Sequence, residues 1–132
     1  MRIGPTILVA ALCLCGSGCG RTVAVQGYHD VRAWWSSPSL ESKLPAGYRA
    51  SDVASASEIA LRRMGYTITE RSETDDQAIV TARPPNSGML DRVVVRARPT
   101  GRRIRVIVTT RPLGNEDRAR LVLDEMLVLL GL

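Results

Sequence analysis

Leu90-Asp-Arg-Val-Val-Val-Arg-Ala-Arg98 and Arg102-Arg-Ile-Arg-Val-Ile-Val-Thr-Thr110, joined through Pro99-Thr100-Gly101, decide the fold. Both runs alternate apolar and polar residues and are rich in β-branched side chains, the pattern of a half-buried strand. Gly101 supplies the positive φ that a tight hairpin turn needs. With Thr100 and Gly101 as the loop, Ala97 faces Ile104, Val95 faces Val106 and Val93 faces Val108. Arg96 then faces Arg105 and Arg98 faces Arg103. A slip of one residue on one strand would mix valine with arginine on both faces. Like charges directly opposite cost about 0.2–1 kcal/mol per pair. Burying each Val or Ile returns about 1.5–3 kcal/mol. The apolar face therefore goes to the core, and the arginines go to water.

Two further strands precede this hairpin. Tyr66-Thr-Ile-Thr-Glu-Arg71 alternates, Ser72 to Asp76 is a polar turn, and Ala78-Ile-Val-Thr-Ala-Arg83 follows. Pro84-Pro85-Asn86-Ser87-Gly88 is a loop, since proline cannot serve a central ladder. Helices flank the strands. Ser51 or Asp52 can cap the first, whose apolar face is Val53, Ala56, Ala60, Leu61 and Met64, with Gly65 to end it. Asn115 caps the last, with Glu116 and Asp117 in its first turn, where the dipole favours acids. Ala119, Val122, Leu123, Met126, Leu127 and Leu130 form its stripe, and Leu121, Val128 and Leu129 widen the apolar arc.

The expected fold is therefore α+β, a two-layer sandwich. A four-stranded antiparallel meander carries two helices on one face, and the domain spans residues 48–132. The other face would show Thr67, Thr69, Arg92, Arg96, Arg98, Arg103 and Arg105 to water.

The N-terminal stretch gives an address. Arg2 precedes a short apolar run, Ile7 to Leu14, and Gly16-Ser17-Gly18 sets small residues before Cys19. That order is the layout of a secretory signal peptide. The run is far below the ~20 residues a transmembrane helix needs. The segment resembles the lipobox of bacterial lipoproteins, in which a small residue precedes a cysteine that is lipidated and becomes the mature terminus. The resemblance implies that residues 1–18 are removed and that Cys19 carries the lipid (palmitate among its acyl chains). It also implies anchorage in the bacterial cell envelope. Gly20 after the cysteine implies the outer membrane, with the domain facing the periplasm.

Removing that leader leaves 114 of the 132 residues. Of 18 basic residues only Arg2 leaves with it, so 17 face 13 acidic residues, formally +4. Modest basicity suits an anionic surface such as lipid headgroups or lipopolysaccharide. Nucleic acid is not an expected partner of a secreted, tethered chain. All three cysteines lie at or before Cys19, so the domain has neither a disulfide nor a cysteine metal site and must fold on its core alone.

Residues 19–47 read as a lipidated tether. Arg21 to Gln26 could be a short strand, but Trp34-Trp35-Ser36-Ser37-Pro38-Ser39 and Leu44-Pro45-Ala46-Gly47 are rich in turn residues. Trp34 and Trp35 are its unusual feature. They either pack against the domain or contact a partner or the headgroup level, where tryptophan is favoured. His29, the single histidine, has no assigned role.

No chemistry of catalysis is legible. There is no glycine-rich phosphate loop, no metal-ligand spacing and no nucleophile elbow. Thr74-Asp75-Asp76 is ordinary turn chemistry. The chain reads as a non-enzyme without cofactor or metal. One candidate site stands out. Arg96, Arg98, Arg103 and Arg105 could bind phosphate or carboxylate groups, to which guanidinium forks are suited; the alternative is a solvated outer sheet face.

The run Ala54 to Arg71, with Met64-Gly65-Tyr66 between helix and strand, is followed by three strands and a closing helix. This pattern resembles a family of small bacterial lipoproteins of unknown function. Gly65-Tyr66 and Asp75-Asp76-Gln77-Ala78 also resemble the lipoprotein subunit of the outer-membrane lipopolysaccharide translocon. These resemblances imply a periplasm-facing module. It would dock an envelope protein through the Trp segment or a sheet edge, or bind an anionic glycolipid through the arginine face.

Overall fold

The computed structural model describes residues 21–132. The leader and Cys19 lie outside the described residues. The element order is β1 (Thr22–Gln26), β2 (Val31–Ser36), β3 (Ser39–Leu44), α1 (Ala50–Arg63), β4 (Thr67–Glu73), β5 (Ala78–Arg83), β6 (Arg92–Thr100), β7 (Arg103–Arg111) and α2 (Glu116–Leu129). All seven strands join one sheet in the order β1-β2-β3-β7-β6-β5-β4, and every neighbouring pair is antiparallel.

The expectation of a four-stranded meander is thus corrected. The sheet has seven strands, and the class remains α+β. The three extra strands come from the stretch read as an irregular tether. Its breaker residues sit at hairpin corners instead of marking a linker. Ser36 pairs with Ser39, so Ser37-Pro38 is a two-residue turn. Gly27 (φ 74) and Asp30 (φ 53) shape the turn between β1 and β2. Alternation in β3 places Leu40, Ser42 and Leu44 on the buried face. β3 then pairs with β7, Leu40 opposite Val108 and Leu44 opposite Ile104. This pairing joins residues 60 to 70 positions apart in sequence and has no local signal.

The hairpin register differs from the expected one by two residues. Ala97 pairs with Val106, Val95 with Val108 and Arg98 with Arg105, and Thr100 pairs with Arg103 across a Gly101-Arg102 turn. Gly101 takes φ 62 at the first loop position, as a Gly-X turn of type II′ requires. A shift of two preserves the faces, because side chains alternate with period two. Val93, Val95, Ala97, Ile104, Val106 and Val108 are all buried, as the alternation demands.

Both helices lie on that buried face. α1 packs over β4, β5 and β6, α2 packs over β7, β3 and β1, and the helices touch each other. α1 starts earlier than its sequence suggests. Arg49 is the N-cap, and the Asp52 carboxylate reaches back to accept from the Arg49 amide at 2.9 Å. Asn115 caps α2 by accepting from the Arg118 amide at 3.0 Å. Leu121 and Val128 stay exposed on α2. Trp35 and Tyr48 join the rim of the core, and the Tyr48 hydroxyl donates to the Leu130 carbonyl at 2.8 Å.

Candidate functional site

Strand alternation sends one set of side chains to the helices and the other to an open face. On β6 and β7 the open set comprises Arg92, Val94, Arg96 and Arg98, with Arg103, Arg105, Ile107, Thr109 and Arg111 beside them. Their neighbours extend it. β3 contributes Ser39, Glu41 and Lys43, β5 contributes Ile79, Thr81 and Arg83, and β2 contributes Arg32 and Trp34. Cations far outnumber acids on this face, so it carries a positive potential.

The four arginines singled out in the sequence share this face but have different partners. Arg105 Nε lies 3.1 Å from Glu41, an ion pair whose angle does not align a hydrogen bond. Arg103 donates to the Leu44 carbonyl at 3.0 Å and to the Lys43 carbonyl at 3.2 Å. Arg98 donates to the Gln77 side-chain oxygen at 3.2 Å. Each of those three guanidiniums has a partner within the sheet, though only Arg105 is in an ion pair, whereas no side-chain hydrogen bond is made by Arg96 among the described residues. Arg96 is different. It joins Arg92 and Arg111, and among the described residues none of these three forms an ion pair.

Arg92, Arg96 and Arg111 line an open groove of about 560 Å³. Its floor includes Val94, Ile107 and Ile79, its hydroxyls are Ser39, Thr81 and Thr109, and Glu70 is its acidic wall. Arg92 and Arg111 are directly opposite each other at one end. Arg96 lies four residues along β6, roughly 13 Å away at the strand rise. Guanidiniums are planar forks that clamp oxyanions in bidentate fashion, so the groove can hold two anionic groups separated by an apolar or sugar-like middle.

Arg92 was legible as a face residue, but nothing in the alternation ranked it above Arg98. Arg111 was missed because it follows the last residue assigned to the strand. The signal that could have found both is pairing, since only the true register puts Arg92 opposite Arg111.

The two tryptophans divide. Trp34 pairs with Glu41 and stands on the open face beside Arg105 and Lys43. Trp35 points inward and packs against the core. Arg71, on the helix side of the edge strand β4, pairs with Glu58 and Glu73. Hydrogen bonds from Arg62 and then Arg71 hold the Glu58 carboxyl below its ordinary range. Among the described residues, no cluster of His, Cys, Asp and Glu could hold a metal. No described helix is long and apolar enough to cross a membrane.

No protein-family model matches this chain, and no curated protein matches it.

Proposed function

We propose that this protein is a non-catalytic envelope lipoprotein, anchored through Cys19, whose open sheet face binds an anionic glycolipid. The observation that carries the binding reading is the groove of Arg92, Arg96 and Arg111 over an apolar floor. Three guanidiniums without acidic partners, set on Val94 and Ile107, match an amphiphile with phosphate or carboxylate groups. The address rests on the lipobox-like order before Cys19.

The test uses a soluble probe, so that the anchor does not confuse the result. A deacylated, doubly phosphorylated glucosamine disaccharide is titrated calorimetrically into the detergent-solubilised full-length protein. The same disaccharide without phosphates is the control. Binding is expected for the phosphorylated form only, weakening as salt rises. It should fall at least tenfold with Arg92→Gln, Arg96→Gln and Arg111→Gln combined. Equal affinity for the two disaccharides, or equal affinity of parent and variant, rejects the reading.

A second reading has its own observation. Among the described residues the outer edge of β1 pairs with no other strand, and its Val23 and Val25 are more than half exposed. An extended segment of an envelope protein could add to that edge. Photo-crosslinking from position 23 in cells would then capture one discrete protein species.

A further inference from the structure

Strand directions sort the loops into two poles. Thr22 pairs with Trp35 while Gln26 pairs with Val31, so β1 begins at the pole of the Ser37-Pro38 turn. Ser39 opposite Thr109, Arg92 opposite Arg111 and Thr67 opposite Arg83 lie at that same pole. The loop 84–91 and the loop 112–115 leave from there too.

Those two loops carry the most exposed large aliphatic residues among the described residues, Met89 (85%), Leu113 (81%) and Leu90 (77%). Arg83, Arg92 and Arg111 rim them. The acids at this pole are largely engaged. Asp91 accepts from the Gly88 amide at 3.2 Å, and Glu116 pairs with Arg120 at 2.7 Å; Asp117 lies in the first turn of α2. The opposite pole has Asp30, Asp75 and Asp76 in its turns alongside Arg49, Arg102 and Arg103. Among the described residues it carries the exposed Tyr28 but no aliphatic side chain as exposed as Met89, Leu90 or Leu113.

We propose that the pole bearing Met89, Leu90 and Leu113 rests on the anionic lipid surface to which the protein is anchored. This rests on the lipidation of Cys19 proposed above. Only Gly20 and Arg21 separate that cysteine from β1, so the Cα of Thr22 lies within about 11 Å of the Cα of Cys19 even when fully extended. The anchor therefore holds the start of β1, and with it this pole, close to the headgroups. Exposed aliphatic tips ringed by arginines are what such an interface accepts. The aliphatic side chains enter the acyl boundary and the cations meet anionic headgroups. The sheet would stand on the bilayer with the arginine groove opening beside it, Arg92 and Arg111 at headgroup level.

Single substitutions Leu90→Cys, Leu113→Cys and Asp75→Cys in the full-length, membrane-purified protein test this. Each is spin-labelled and reconstituted into phosphatidylglycerol-containing vesicles. All three positions are exposed, so the core is untouched. Labels at 90 and 113 are expected to be several-fold less accessible to a water-soluble nickel chelate than the label at 75, and more accessible to oxygen. Equal nickel accessibility at all three positions overturns the orientation. The unsubstituted protein is the control for the anchor, since a thioether at Cys19 takes no thiol label. A labelled parent overturns the lipid anchor and the orientation together, whereas an unlabelled parent with equal accessibilities overturns the orientation alone.

Discussion

Ser39 and Thr109 face each other across the β3–β7 junction with their hydroxyl oxygens 2.8 Å apart. That junction fuses the N-terminal strands to the C-terminal ones, and next to it Leu40 is wholly buried against Val108. The first strands are therefore part of the cooperative core.

Leu40→Ala should destabilise the whole domain. Truncating a fully buried leucine removes its transfer energy and leaves a cavity, typically about 2–5 kcal/mol. Chemical denaturation read by circular dichroism should show one transition at a lower midpoint. Val25→Ala, on the exposed edge, should move the midpoint little. If Leu40→Ala left the midpoint unchanged, residues 22–44 would be a passive tether after all.

The contrast between β3 and β7 shows what the sequence made legible. Strands β5 and β7 alternate cleanly in burial, and every strand from β4 to β7 has a local partner. Each could therefore be read from the sequence pattern, although β4 carries an irregularity between Ile68 and Glu70. The faces of β6 and β7 were readable too, because valine and arginine occupy opposite parities. The register was not, because a shift of two residues leaves both faces intact, and the turn chemistry at Gly101 decides it. β2 hid for a different reason. Trp34 and Trp35 are adjacent and apolar, one outward and one inward, which blurs the alternation. β3 hid because Ser42 interrupts its buried set. Ser42 is nevertheless buried and satisfied, donating to the Arg32 carbonyl at 2.9 Å. The candidate site shared this fate, since its membership depended on which arginines found partners in a sheet larger than expected.

Gly27→Ala should be more costly than Gly131→Ala. Both glycines have positive φ, 74 and 76, so both share the backbone strain of a left-handed residue. Around Gly131 an added Cβ meets nothing, whereas at Gly27 it would lie 2.7 Å from the Leu132 backbone oxygen. That oxygen accepts from the Tyr28 amide at 2.6 Å and from the His29 amide at 3.2 Å. Gly131→Ala should lose about 1 kcal/mol, and Gly27→Ala should add to that the loss of these bonds, about 1 kcal/mol each. Paired thermal melts compare them directly; equal losses would mean that the Leu132 clasp contributes nothing.

Glu58→Gln should show a pH-dependent loss of stability. Hydrogen bonds from Arg62 and Arg71 lower the Glu58 pKa in the folded state. A lowered folded value means that the contribution is present above the ordinary carboxylate range and lost as pH falls through the folded value. The partners are partly exposed, so the effect should be a few tenths to about 1 kcal/mol. Urea midpoints of parent and variant should differ at pH 7 and converge near the acid end of the transition. A difference that persists unchanged into strong acid would assign it to packing instead of charge.

Arg111→Thr should stabilise the ligand-free protein. Arg92 and Arg111 are directly opposed, and neither forms an ion pair among the described residues. Opposed like charges on a sheet cost about 0.2–1 kcal/mol, and threonine favours strands. The gain should be largest at low ionic strength and should shrink as salt screens the pair. Arg105→Thr is the matched control: Arg105 is opposed by Arg98 and Lys43 but also pairs with Glu41 at 3.1 Å, so its removal sacrifices an ion pair and should yield a smaller gain. A residue whose replacement improves the empty fold is one that the fold itself does not require. At Arg111 the compensating interaction would then come from an anion seated between the two guanidiniums, and saturating the parent with the doubly phosphorylated disaccharide should raise its midpoint above that of the variant. If Arg111→Thr instead destabilises the protein at every ionic strength, the opposed arginines are part of the sheet's own packing and the groove loses its strongest claim to an external ligand.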